Sequence, residues 1–384
     1  MREFPKYIIP KGENIFGFWM QTLADLELLD LELKGLTKWY EIDPVNRVVK
    51  FEGDEEFVRL RVAHLEKVAG KPTLYSDFVD TFGDTNAYAF HNLYPYKGKF
   101  YPRVVRTLIN AFGINECSLL LDPFNGSGKS THEASLMGIK SVGVDITPMG
   151  VILAKLKNEL LFIEESELTF SNKELREIFQ DIENKKWKHP NNTIYHLMLI
   201  LYFDTIDAFE RTSSYQNMGK IGLFVKKYEY IKDCYKKIKS LQQKYNLIFQ
   251  PSMILQGDVL ELRNFKEFEG AFDAVITSPP YYFSIDYVGK DKVAYEYLGI
   301  DMKQIEAKYL GMKNSGPLLR TYGKLPIRVA RYYEDLRLSI ANIAWARLSS
   351  KINCFESLFR LFIVIPPYLY LICFVKSFLQ HLNP

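Results

Sequence analysis

The 384-residue sequence contains only four cysteines, Cys117, Cys234, Cys354 and Cys373, and no two of them form a CxxC pair. That scatter excludes a cysteine zinc site or a disulfide framework, so no metal is expected, and it suits a reducing, cytoplasmic setting. Charge of one sign is lacking too. The 49 Lys and Arg against 46 Asp and Glu leave a net charge of +3, and bulk charge selects no partner. The opening stretch MREFPKYIIPKGEN has no uninterrupted apolar core, and no signal peptide is expected. Near the other end, Leu361 to Val375 is almost wholly apolar between Arg360 and Lys376. It is nevertheless short of the ~20 residues of a membrane span and contains Pro366 and Pro367, so no membrane association is expected. No internal repeat or low-complexity tract stands out.

What is present reads as globular. Hydrophobic residues at 47% and charged residues at 25% are close to the averages of soluble domains, and the length suffices for one elaborated domain or two. Aromatics at 15% are high, which suits stacking on bases and equally an aromatic core. Charge is unevenly spread: Leu23 to Leu33 is acidic and leucine-rich, whereas Lys226 to Lys244 carries seven lysines, a solvated helix face or a phosphate-contacting surface.

Residues 1–80 alternate short apolar runs with charged turns. They predict an N-terminal accessory region with a helix around Leu23 to Leu33 and a strand at Val48 to Phe51. Beyond Thr81, Val104, Val105, Leu108, Ile109 and Phe112 recur at helical spacing, with Gly113 placed to cap the helix. The segment SLLLDPFNGSGKSTHEASLMGIKSVGVDITP then reads as a strand (Ser118 to Leu121), a tight loop (Asp122 to Gly128), a helix (Lys129 to Met137) closed by Gly138, and a second strand (Ser141 to Val144). This is the opening of a doubly wound α/β sheet. Residues 151–250 are helical in pattern, rich in lysine and tyrosine, and too long for a plain crossover, which predicts a helical insertion. Met253 to Gln256 and Phe272 to Thr277 predict two further strands. The main domain is thus expected over 81–350, with 351–384 as an atypical apolar tail.

The loops carry the chemistry. Gly126 and Gly128 let a backbone approach a ligand closely, and Asp145 follows about 20 residues on, the spacing at which a carboxylate accepts hydrogen bonds from ribose hydroxyls. The same stretch spells GSGKST, but Pro123 stands where a phosphate-wrapping loop needs glycine. His132 and Glu133 open like a zinc-protease helix, yet position 136 is Leu. Ser278, Pro279, Pro280 and Tyr281 directly follow a buried strand, and two prolines there must hold a stiff loop at the edge where such sheets bind ligands. Methylating an exocyclic amine requires its lone pair to be drawn out of conjugation. The Ser278 side-chain oxygen and the Pro279 carbonyl suit the two N–H groups as acceptors, and Tyr281 suits stacking on a flipped base.

These residues resemble the amino-group DNA methyltransferases that make N4-methylcytosine or N6-methyladenine, over most of residues 81–300. The resemblance implies a Rossmann-like methyltransferase sheet, S-adenosylmethionine as cofactor and double-stranded DNA as partner, with a cognate restriction endonuclease possible. HNLYPYKGKFYP, containing Lys99 and Phe100, looks like the segment that lies against the methionine part of the cofactor. DPFNGSG, with Asp122, Phe124, Gly126 and Gly128, resembles the cofactor loop, with Asn125 where cysteine or another small residue is common. Asp145 matches the ribose-binding acid, Asp258 the contact to the cofactor adenine, and TSPPYYFSIDYV the catalytic loop. The serine form of that loop favours N4 of cytosine over N6 of adenine. The inserted helices are a candidate target-recognition region. Tyr332 to Arg347 suits the helix expected after the catalytic loop, whereas the segment after Leu348 departs from the pattern and is expected to be truncated or out of frame. Alternative readings are methylation of RNA, such as a tRNA guanine amine, and a catalytically dead nucleotide-binding module or an ATP switch built on GSGKST.

Overall fold

The computed structural model describes residues 14–96, 101–280, 289–312 and 325–347, and the backbone of 361–363. The N-terminal part comprises β1 (Asn14–Phe16), α1 (Leu23–Leu36), β2 (Trp39–Asp43), β3 (Val48–Glu52), α2 (Glu55–Arg61), β4 (Leu65–Val68), β5 (Lys71–Pro72) and α3 (Leu74–Phe82). Its strands pair antiparallel in the order β2-β3-β1-β4-β5. Thr22 starts α1 through a reciprocal capping box with Asp25, and the Asp43 carboxylate turns the β2–β3 hairpin by accepting the amides of Val45 and Asn46.

The second part holds α4 (Pro102–Ala111), β6 (Leu119–Asp122), α5 (Lys129–Leu136), β7 (Lys140–Asp145), α6 (Pro148–Glu159), α7 (Asn172–Glu183), α8 (Asn192–Arg211), α9 (Ser213–Gln216) and α10 (Gly219–Tyr245). It continues with β8 (Ser252–Gln256), β9 (Ala274–Thr277), α11 (Lys292–Leu298), α12 (Met302–Glu306), α13 (Ile327–Arg347) and β10 (Leu361–Ile363). These strands form one parallel sheet in the order β10-β9-β6-β7-β8. It is a doubly wound, Rossmann-like α/β sheet. Successive residues of a strand face opposite ways, so Leu120, Ala274 and Ile276 join Leu108 and Ile109 in one layer, while Leu121 and Val275 join Ile343 and Phe272 in the other. Both faces are buried, as a parallel sheet requires. The chain leaves β6 toward β7 on one side and returns to β9 on the other, which makes the carboxyl end of β6 the topological switch point.

Three features bear on the boundaries read in the sequence. Trp19, Tyr75 and Phe78 of the N-terminal region share one core cluster with Leu153 and Leu156 of α6 and Tyr235 of α10. Within 151–250, α6 packs on β7 and β8 as a crossover helix, and the additional helices are α7 to α10. Within the tail set apart at 351–384, Leu361–Ile363 runs parallel to β9 and extends the sheet.

Candidate active site

A cleft opens at the switch point. Its walls come from the loop after β6 (Pro123, Phe124, Gly126), the end of β7 (Asp145 to Thr147), the turn after β8 (Asp258, Val259), the loop after β9 (Ser278 to Pro280) and a lip at Lys308 to Leu310.

The loop after β6 is held by its own surroundings. Gly126, at φ +49°, donates its amide to the Asp145 carboxylate at 2.7 Å. The Asn125 amide bonds the Val144 carbonyl at 3.0 Å, and the Gly128 amide bonds the Asn125 carbonyl at 2.8 Å. Lys157, fully buried, donates to the Ser127 carbonyl at 2.7 Å. Gly128 sits in the left-handed region at φ +75°, and a Cβ there would lie 2.6 Å from Ala154 Cβ, so glycine is required both for conformation and for the approach of α6.

Asp145 stands half-buried at the head of this arrangement. Its other oxygen accepts the Thr147 amide at 2.8 Å and hydroxyl at 2.6 Å. Burial pushes its carboxyl above the ordinary range, against the pull of those bonds. Tyr96 lies alongside, and burial next to Asp145 raises its hydroxyl well above the usual value, keeping it protonated as a donor. Asp258 caps the 3-10 turn Val259–Asn264 through the Leu260 amide at 2.9 Å and faces the same space.

The structure therefore brings together Phe124, Gly126, Asp145, Asp258, Ser278, Pro279 and Pro280. Two further candidates do not face the cleft. Asp122 is 3% exposed and accepts the Thr277 hydroxyl at 2.6 Å and the Phe124 amide at 3.1 Å, tying β6 to β9. Burial pushes its carboxyl up to about 6. Gly128 serves the packing of α5 on α6. Lys99, Phe100 and Tyr281 lie outside the described residues. Sequence reasoning missed Tyr96, Thr147 and the Lys308 to Leu310 lip. Tyr96 lies inside HNLYPYKGKFYP and was within reach of that motif, whereas the lip follows no motif.

Contacts bear on two of the readings. The GSGKST stretch is not a phosphate cradle: the Lys129 ammonium is buried and donates to the His91 carbonyl at 2.6 Å, and the Gly126 and Gly128 amides are engaged within the loop. Five of the seven lysines in the α10 run have partners. Lys227 pairs with Asp204, Lys244 with Asp77, Lys236 with Glu165 at 3.7 Å and Lys237 with Asp233 at 2.8 Å, and Lys239 donates to the Leu161 carbonyl. Tyr228 and Tyr235 are buried, their hydroxyls bonded to the Leu168 and Ile163 carbonyls.

Comparison with known proteins places relatives beside this geometry. The sequence is 26% identical to the Type II methyltransferase M.BsoBI of Geobacillus stearothermophilus over 279 residues, 56% of this chain and 54% of that protein. It is 32% identical to the Type II methyltransferase M.MjaII of Methanocaldococcus jannaschii over 102 residues, 27% of this chain and 17% of that one. A stretch of 51 residues is 41% identical to the tRNA (guanine(10)-N2)-dimethyltransferase of Methanothermobacter thermautotrophicus, 13% of this chain and 15% of that one. The chain spans about half the length of the first of these relatives and less of the others. Among solved structures, the rRNA methyltransferase aviRa from Streptomyces viridochromogenes is similar at a TM-score of 0.30 and 16% identity, over 56% of this chain and 70% of that one. No family model matches the sequence. No described helix is long and apolar enough to cross a membrane. The two Type II relatives support the family that the motifs resemble.

Proposed function

We propose that this relative of the amino-group DNA methyltransferases transfers a methyl group from S-adenosylmethionine to an exocyclic amine in double-stranded DNA, N4 of cytosine in preference to N6 of adenine. The reading is carried by the shared cleft: the carboxylates of Asp145 and Asp258 and the Ser278–Pro280 loop wall one space at the switch point of the sheet. The residues present fit the cofactor. Asp145 suits the ribose hydroxyls, Asp258 the adenine amine, and the apolar walls of Phe124 and Val259 the flat ring. Gly126 leaves the floor clear, since a Cβ there would already come to 3.3 Å from the Tyr96 ring.

Bound S-adenosylmethionine supplies an electrophilic methyl group. The chain's own part is to orient the acceptor. Ser278 Oγ and the Pro279 carbonyl take the two N–H bonds of the amine, which turns its lone pair out of the ring and toward the donor. Neither acceptor has to ionise first. A cognate restriction endonuclease acting on the same DNA is the partner this reading implies.

A second reading, methylation of a guanine amine in tRNA, is favoured by the 51-residue similarity to the tRNA enzyme. Incubation with labelled S-adenosylmethionine and either DNA or tRNA separates the two. Label in DNA that disappears in Ser278→Ala is expected; label in tRNA alone overturns the proposal.

A further inference from the structure

The loop after β9 has two consecutive residues, Pro279 and Pro280, that carry no backbone donor, so it cannot be closed by its own amides as the loop after β6 is. Its support comes from α13. The Tyr332 hydroxyl donates to the Pro280 carbonyl at 2.9 Å, and Tyr332 is only 8% exposed, so its ring is fixed by packing. Three residues on, the buried Asp335 accepts the Gly311 amide at 2.7 Å. Gly311 closes the Lys308 to Leu310 lip and lies so near the helix that a Cβ there would come to 3.0 Å from Tyr332 Cβ. Positions 332 and 335 share one helix face. Two turns further, Asn342 donates to the carbonyls of Val259 and Leu260, both at 3.0 Å, beside the Asp258 wall. One helix therefore touches three of the segments that enclose the cleft.

We propose that Tyr332 is a positioning residue for the catalytic loop. By occupying the Pro280 carbonyl it sets the proline pair so that the adjacent Pro279 carbonyl, together with Ser278 Oγ, is the acceptor presented to the substrate amine. This rests on the function proposed above and deepens it. Tyr332 touches neither substrate nor cofactor in this role, and acts only through Pro280.

The test uses the full chain with Tyr332→Phe, which removes the hydroxyl and keeps the ring. Loss of one orienting hydrogen bond is expected to lower kcat about tenfold. The Kd for S-adenosylmethionine, read by calorimetry, is expected to stay unchanged and the Tm to fall by no more than a few degrees, while amide exchange in a peptide spanning Thr277 and Ser278 accelerates. A parallel fall of kcat, cofactor affinity and Tm would mark a merely structural residue and overturn the proposal, as would unchanged exchange. Faster exchange in a protein whose wild type transfers no methyl group to DNA would support the Tyr332 clamp and sink the proposed function instead.

Discussion

Two loops leave the carboxyl edge of the sheet from neighbouring strands, β6 and β9, and they are held in opposite ways. The glycine loop at Pro123 to Gly128 closes on its own surroundings: its amides bond Val144, Asp145 and Asn125, and a buried lysine 30 residues along fixes Ser127. The proline loop at Ser278 to Pro280 lacks donors at two positions and takes its anchor from Tyr332, 52 residues away. A loop that keeps its amides builds a local motif and shows itself in a short stretch of sequence. A loop that gives them up is stiff, but its orientation depends on distant packing. The first kind suits an invariant ligand, and the second suits aiming two acceptors.

The largest effect should come from the proline loop itself. Ser278→Ala removes one of the two proposed acceptors, and methyl transfer is expected to fall about 100-fold with cofactor affinity intact. Equal loss of both would break the contrast by making the two loops one binding unit. Stability should instead respond to the glycine loop. Gly128→Ala forces a left-handed alanine against Ala154 and is expected to destabilise by about 3 kcal/mol, read from urea unfolding.

A pH experiment sharpens the same side. Burial pushes the Asp122 carboxyl up to about 6, so between about pH 4 and pH 6 the native state keeps a proton that the unfolded chain has released. This contribution to stability is largest in acid and is lost as pH rises through about 6, by on the order of 2–3 kcal/mol. Asp122→Asn should abolish that slope, so the stability of the variant relative to wild type should improve by this amount from about pH 4 to pH 6.5. Urea midpoints at the two pH values check it. The smallest effect is expected far from both loops: Lys236→Ala with Lys239→Ala should change stability by about 0.5 kcal/mol and DNA affinity by less than about twofold. A tenfold loss of affinity would mark α10 as a DNA-contacting surface.

What was legible follows from the same contrast. The strand, loop, helix and strand from Ser118 to Val144 were readable because strand alternation, loop glycines and helix cap all lie within 30 residues. The position of Asp145, at the end of β7 and on the cleft wall, was readable from spacing. The antiparallel N-terminal sheet was read as one strand where five exist, since strands such as Lys71–Pro72 are too short to show an alternation. Asp122 was assigned to the cofactor because a motif does not tell which way a side chain turns; here it turns to Thr277 on the adjacent strand. The α10 lysines left two readings open, a solvated face or a phosphate-contacting one, because the partners of three of them, Asp77, Glu165 and Asp204, lie far off in the chain. Tyr332 and the Lys308 lip had no sequence signal, because their relation to the cleft exists only after α13 has packed.

The central claim, transfer to an exocyclic amine, is tested most directly by mass spectrometry of nucleosides from DNA incubated with the protein and S-adenosylmethionine. N4-methylcytosine is the predicted product, and N6-methyladenine would move the target base while keeping the amine chemistry. DNA that stays unmodified, or carries methyl only on a ring carbon, would contradict the account.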